Sequence, residues 1–171
     1  MQNYLCHICF DGRNFHGWQV QKDAVTVMGA FNYAINSITN KKIDIKGCSR
    51  TDSGVSARDY GVSFVLDETI PCEGLKRALN ATLPNSILVK KIEFVPTSFH
   101  ARYSSFGKRY VYTVLNFEDR DPFMDGMCYV YNKKKLDEKK LNSIAQQFVG
   151  RHDFSSFQNV GTNVSDTVRE I

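Results

Sequence analysis

The spacing of apolar residues changes period along the first half of the chain, and that alternation limits the folds open to it. Residues 3–10 alternate, with Tyr4, Cys6, Ile8 and Phe10 on one face and Leu5, His7 and Cys9 on the other, the period-two pattern of a strand. From Met28 the step lengthens to three and four residues through Phe31, Ile35 and Ile38, which predicts a helix that Thr26 can cap. Residues 41–48 and 60–66 return to an extended pattern, the second run aligning Val62, Phe64 and Leu66. Pro71 opens another helix, with Leu75, Ala78, Leu79 and Leu83 facing inward. It stops at Pro84, whose ring and missing N–H disrupt a helix, and residues 87–95 follow as a strand.

The order strand, helix, strand, strand, helix, strand predicts an α+β fold: a ferredoxin-like (RRM-like) βαββαβ sub-domain. Its helices would cover one face of an antiparallel sheet and leave the other open to a ligand. Further on, residues 104–116 read as a long strand, 127–131 as a shorter one, and 137–149 as a helix ended by Gly150 that buries Leu141, Ile144, Ala145 and Phe148. Residues 167–171 look like the start of another strand. The expected organisation is a sub-domain over 1–103 and an incomplete second α+β sub-domain over 104–171 that extends the sheet, the front portion of a longer protein.

With 171 residues and 42% hydrophobic composition, the chain can bury a sizeable core. No run approaches the roughly 18 consecutive apolar residues of a membrane span, and Met1-Gln2-Asn3-Tyr4 lacks the charged-then-apolar pattern of a signal peptide, so a cytoplasmic location with no membrane partner is expected. A net charge of +4 suits a polyanionic partner but is also ordinary for an enzyme. Five cysteines are an odd count for a disulfide framework. Cys6-His7-Ile8-Cys9 has metal-ligand spacing, but residues three apart on a strand point to opposite faces and no second pair accompanies them. The cysteines therefore read as small core residues, with no metal. Lys133-Lys134-Lys135 with Lys139 and Lys140 reads as a solvated turn and helix face.

The turn through Ser49-Arg50-Thr51-Asp52-Ser53-Gly54, between two apolar runs, can place Arg50 and Asp52 side by side at the mouth of a sheet. An ionised carboxylate beside a guanidinium can act as nucleophile or base. The structural alternative is that such an aspartate caps its own backbone. Asp52-Ser53-Gly54 also matches the core of dimeric aspartic proteases, which need two carboxylates sharing a proton. The helical patterns run against that all-β fold. A further alternative is a non-catalytic RNA-binding ferredoxin-like module, although no RNP-like aromatic signature stands on the first or third strand.

Four blocks in order resemble the tRNA pseudouridine synthase A family. They are Phe10-Asp11-Gly12-Arg13-Asn14-Phe15-His16-Gly17-Trp18-Gln19, with Phe10 in place of the usual Tyr; Arg50-Thr51-Asp52-Ser53-Gly54-Val55; Phe99-His100-Ala101-Arg102-Tyr103 continuing to Lys108-Arg109-Tyr110-Val111-Tyr112; and Gly150-Arg151-His152-Asp153-Phe154-Ser155 with Thr167-Val168-Arg169. Ser56 stands where many members carry His, which bears on how the turn is braced. The resemblance implies isomerisation of uridine to pseudouridine in the anticodon stem-loop of tRNA, with no cofactor and a homodimer clamping the tRNA. Asp52 would be the catalytic carboxylate, acting covalently or as a base. Arg50 would support an extruded nucleotide, and Tyr110 would pack on its uracil while its hydroxyl reaches the region of the aspartate. Arg102, Lys108 and Arg109 become candidate phosphate contacts. Arg13 and His16 are possible RNA contacts on a loop where Trp18 is either a contact or a buried anchor. His100 and His152 receive no role. A basic partner for the aspartate and an apolar wall of the uracil pocket would come from beyond this chain.

Overall fold

The computed structural model describes residues 1–116, 119, 121–158, 161 and 166–171. It divides into two compact units, Met1–Arg109 and Tyr110–Ile171. In the first, β1 (Gln2–Phe10), β2 (Lys46–Gly47), β3 (Ala57–Leu66) and β4 (Ile87–Val95) form one sheet in the order β2-β3-β1-β4. All three pairings are antiparallel. The register sets Tyr4 opposite Phe64 and Phe94, and Cys6 opposite Val62 and Ile92, so the apolar sets of three strands fall on one face. Tyr4 stacks on Phe64 with centroids 5.5 Å apart and meets the edge of Phe94 at 5.3 Å.

Two helices join that face. α1 (Val27–Thr39) begins where the Thr26 hydroxyl accepts from the Gly29 N–H at 3.2 Å, and ends at Asn40 in the left-handed conformation. Its Phe31 and Ile35 are fully buried, while Met28 and Ile38 pack at the core's margin. α2 (Cys72–Thr82) buries Leu75 and Leu79, and Leu83 follows it into the core. Asn80 donates to the Val89 carbonyl at 3.0 Å and accepts from its N–H at 2.8 Å, which satisfies backbone groups on the outer edge of β4. The helix-containing architecture excludes the all-β aspartic protease reading.

The opposite face is less open than expected. Asn3 donates to the carbonyls of Pro96 and Phe99, each at 2.9 Å, and the Ala101 N–H reaches the Ser63 hydroxyl at 3.0 Å. The segment after β4 therefore folds back over one end of that face, because buried Asn3 and Ser63 need partners there. Toward the other end His7 lies between Asp59 (3.3 Å) and Glu93 (3.1 Å). Lys91 first, then His7, hold the Glu93 carboxyl below its ordinary range.

The predicted strand at 41–48 shrinks to Lys46–Gly47. Before it, the Ile43 N–H is taken by the Asn36 side chain at 2.8 Å, leaving only the end of the run to pair with Ser63 and Val62. Among the described residues, the predicted long strand at 104–116 is realised only as β5 (Val114–Leu115), since a strand exists where a partner completes its ladder, and Val114 and Leu115 are the positions that find Tyr129 and Val130.

In the second unit, β5 pairs in parallel with β6 (Tyr129–Val130), and β7 (Arg151–Asp153) pairs antiparallel with β8 (Val168–Glu170). α3 (Glu138–Ala145) is capped by the Asp137 carboxylate, which accepts from the Lys140 N–H at 3.0 Å, and continues as a 3₁₀ turn through Phe148. The predicted burial of Leu141, Ile144, Ala145 and Phe148 is not realised, and all four are exposed. Two-stranded pairs offer too little sheet to bury a helix face. Among the described residues, no helix is long and apolar enough to cross a membrane.

Candidate active site

Two loops at one end of the first unit's sheet are laced together along their backbones. The turn after β1 opens with Asp11, whose carboxylate accepts from the Arg13 N–H at 3.1 Å and caps the 3₁₀ turn Gly12–Asn14. The second loop runs from β2 to β3 and carries residues 48–56. Trp18 N–H donates to the Thr51 carbonyl at 3.1 Å, Gly54 N–H to the Phe15 carbonyl at 3.1 Å, and Gly12 N–H to the Ser56 hydroxyl at 2.9 Å. The Ser53 hydroxyl adds a long bond to the Phe15 carbonyl at 3.4 Å. Gly17 has φ +79°, and a Cβ there would lie 2.4 Å from the Thr51 carbonyl oxygen, so only glycine permits this approach.

The anchor beneath both loops is aromatic. Trp18 is 2% exposed, its centroid 4.5 Å from that of Tyr60, and Phe10 meets Tyr60 edge-on at 5.5 Å. Trp18 is thus the buried anchor of the two alternatives left by the sequence. The Tyr60 hydroxyl donates to the Ser49 carbonyl and accepts from the Ser49 N–H at 3.3 Å.

On this braced backbone Asp52 and Arg50 both stand exposed. The turn's own bonds use backbone oxygens: Val55 N–H goes to the Asp52 carbonyl at 3.2 Å and Gly54 N–H to Phe15. Among the described residues the Asp52 carboxylate has no hydrogen-bond or ion-pair partner, so the self-capping alternative does not describe it. The expected side-by-side pairing is also absent, for no ion pair joins Arg50 to Asp52 within 4.0 Å among the described residues. Consecutive anchors at Ser49, Thr51 and Gly54 fix the backbone while leaving both side chains to solvent. An exposed, unengaged carboxylate on a rigid backbone is able to meet an incoming electrophile or proton without first breaking an internal bond.

Of the remaining predicted residues, Lys108 lies near enough to the second loop for its charge to act on the Cys48 thiol. His16 is exposed beside the loop. Arg13 is engaged by Asp11, its Nη2 at 2.7 Å from Oδ2, and this guanidinium is the chief cause holding the Asp11 carboxyl below its ordinary range. A phosphate reaching Arg13 has to compete with that carboxylate. Arg102 lies over the Tyr103 ring at 5.9 Å, and Tyr103 in turn meets His100 at 4.5 Å. Lys108 and Arg109 are exposed. Tyr110, in the second unit, is 81% exposed, which sets aside the reading of it as a packed sheet aromatic.

Cys6 is buried in the core, whereas Cys9, Cys48, Cys72 and Cys128 are half-buried, so the core reading holds fully only for the first. Burial pushes the Cys6 and Cys48 thiols up. The free part of the sheet's second face presents Leu5, His7, Cys9, Asp59, Gly61 and Glu93, without an aromatic ring from β1 or β3. With no stacking ring, and with its carboxylates already engaged by His7 and Lys91, this face is a poor platform for single-stranded RNA.

Sequence reasoning missed Tyr60 and Phe15 as supports of the loop. Tyr60 read only as the start of a strand, and Phe15 acts through its carbonyl, which no side-chain pattern reveals. The Ser56 departure, by contrast, was legible as a matter of bracing, and its hydroxyl holds the Gly12 N–H.

The profile of the tRNA pseudouridine synthase family matches residues 8–104, which include both laced loops. The tRNA pseudouridine synthase A of Thermoanaerobacter sp. (strain X514) is 39% identical over 171 residues, covering all of this chain and 70% of that protein. The tRNA pseudouridine synthase A of Clostridium botulinum (strain Eklund 17B / Type B) is 42% identical over 172 residues, and tRNA pseudouridine synthase A 2 of Clostridium perfringens (strain 13 / Type A) is 40% identical over 172; each match spans the whole chain and 70% of the relative. With the family profile over residues 8–104 and relatives 39 to 42% identical over the whole chain, the chain belongs to the tRNA pseudouridine synthase family.

Proposed function

We propose that this chain isomerises uridine to pseudouridine in the anticodon stem-loop of tRNA, with Asp52 as the catalytic carboxylate. The observation that carries the reading is the Asp52 carboxylate, unpartnered among the described residues, on a loop held at Ser49, Thr51, Gly54 and Ser56. Pseudouridine formation breaks the bond from ribose to a uracil nitrogen and remakes it to a ring carbon, with no net change in oxidation state, so its balance calls for no redox partner. A carboxylate serves either as nucleophile, at the sugar or the ring, or as base for an elimination.

The target base is stacked inside RNA and has to be extruded at a cost of a few kcal/mol. In this reading Arg50 supports the extruded nucleotide, and exposed Tyr110 stacks on the uracil, an interaction worth roughly 1 to 3 kcal/mol. Arg102, Lys108 and Arg109 hold phosphates, with Arg13 and His16 as further RNA contacts. The same reading takes the first unit as ferredoxin-like, which its strand order β2-β3-β1-β4 with two helices on one face supports. It takes the working enzyme as a cytoplasmic homodimer.

Release of tritium from ring-labelled uracil in tRNA tests the assignment. Asp52→Asn is expected to abolish release while tRNA binding persists. Retained turnover in that variant removes Asp52 from the mechanism.

A further inference from the structure

We infer that Tyr60 is a positioning residue for the Asp52 loop, a latch whose hydroxyl fixes the backbone from which Arg50 and Asp52 project. The inference rests on the reading of Asp52 as catalytic, and its structural half stands independently of it. Tyr60 lies on β3, opposite Ile8 of β1, eight positions after Asp52, and its ring is held between Trp18 and Phe10. From there one hydroxyl engages both backbone hydrogen-bonding groups of a single residue, donating to the Ser49 carbonyl and accepting from the Ser49 N–H at 3.3 Å. Burial pushes the phenol up, so it keeps the proton it donates.

The placement matters because of what lies on either side. Ser49 immediately precedes Arg50, and Trp18, which supports the Tyr60 ring, gives its own N–H to Thr51, immediately before Asp52. The aromatic pair thus grips the chain just before each exposed side chain. Gly47 shows how closely the latch is fitted: a Cβ there would lie 2.4 Å from the Tyr60 hydroxyl and 2.5 Å from Trp18 Cε2. Both rings close over the end of β2 only because that position has no side chain. A tyrosine kept merely for core volume would need its ring and not its hydroxyl, whereas here the hydroxyl carries the bond to the loop.

The test uses Tyr60→Phe, which keeps the ring, and Gly47→Ala, which keeps the hydroxyl but displaces it. Amide exchange at Ser49, single-turnover tritium release from labelled tRNA and tRNA affinity are measured on each. For Tyr60→Phe we expect Ser49 exchange at least tenfold faster, unchanged protection at core positions such as Phe64, tRNA affinity within about twofold, and turnover slower by about tenfold or more, as for other small misplacements of reacting groups. Gly47→Ala should reproduce the same split between rate and affinity.

If Tyr60→Phe keeps wild-type Ser49 exchange and turnover, the latch is refuted. The same holds if its losses follow a general fall in core protection, as a packing role alone would produce. Should Ser49 exchange rise while turnover stays unchanged, positioning is refuted even though the bond exists. If Asp52→Asn keeps turnover, the catalytic reading fails by itself, and Ser49 exchange in Tyr60→Phe still decides whether the hydroxyl holds the loop.

Discussion

Gly17→Ala tests directly whether the first loop sets the position of the second. In the structure an added Cβ would stand 2.4 Å from the Thr51 carbonyl oxygen, where ordinary contact begins at 3.4 Å, so the two backbones have to part by about 1 Å. That separation stretches the 3.1 Å bond from Trp18 N–H to the same oxygen beyond hydrogen-bonding range. Two costs add: about 1 to 2 kcal/mol for an L side chain at φ +79° and about 1 kcal/mol for the lost bond. A loss of about 2 to 3 kcal/mol lowers the melting temperature of a domain this size by roughly 10 to 20 °C.

The catalytic effect is separable from stability. Thr51 precedes Asp52, so a shift of about 1 Å reaches the carboxylate, and misplacement on that scale can cost about 100-fold in rate. Measured well below the variant's melting temperature, single-turnover tritium release should fall by that order while tRNA binding changes little. Gly74→Ala serves as control. Gly74 lies in α2 with nothing within 4 Å of an added Cβ, and alanine there should stabilise by about 0.5 to 1 kcal/mol without touching the rate. A Gly17→Ala variant with wild-type melting and turnover would refute the lacing argument, and lowered melting with full turnover would show that Asp52 does not depend on it.

Tyr110→Phe is expected to keep its fold and its tRNA affinity, since the exposed ring is retained, and to lose turnover; an unchanged rate would deny its hydroxyl a part in the chemistry. The Asp11–Arg13 pair makes a pH-dependent contribution. Because Asp11 is depressed in the folded state, chiefly by Arg13, the pair stabilises above the ordinary carboxylate value of 3.8, and that benefit is lost as pH falls through the lower folded value. Urea midpoints of Arg13→Gln should therefore lie below wild type at pH 7 and converge with it under acid. A gap that persists at low pH would assign the effect to packing instead. Both side chains are more than a third exposed, so the pH 7 gap should be small.

Much of the first unit could be read directly from the chain because its elements are amphipathic with one period each. The predicted strand faces at β1 and β3, the Thr26 cap and the stop before Pro84 are local consequences of side-chain spacing and backbone chemistry. The second unit was less legible for the same reason. The run at 104–116 carries strand-forming residues such as Tyr110, Val111 and Tyr112, but strand formation depends on a partner, and only Val114 and Leu115 pair. Likewise the stripe of α3 identifies a face suited to burial and cannot say what covers it.

By itself, then, the sequence determined the helical and strand periods, the position of Asp52 on a glycine-containing turn, and the family, since these depend on residue identity and near-neighbour spacing. Only the tertiary structure decided that the Asp52 carboxylate has no partner among the described residues, that no ion pair ties it to Arg50, and that its loop is held by Trp18, Phe15 and Tyr60. The Trp18 and Phe15 bonds join backbone N–H and carbonyl groups, which every residue carries alike, across 30 or more positions, and the Tyr60 hydroxyl meets the Ser49 backbone only once β3 and the loop are folded together, so these pairings leave no mark in the order of side chains.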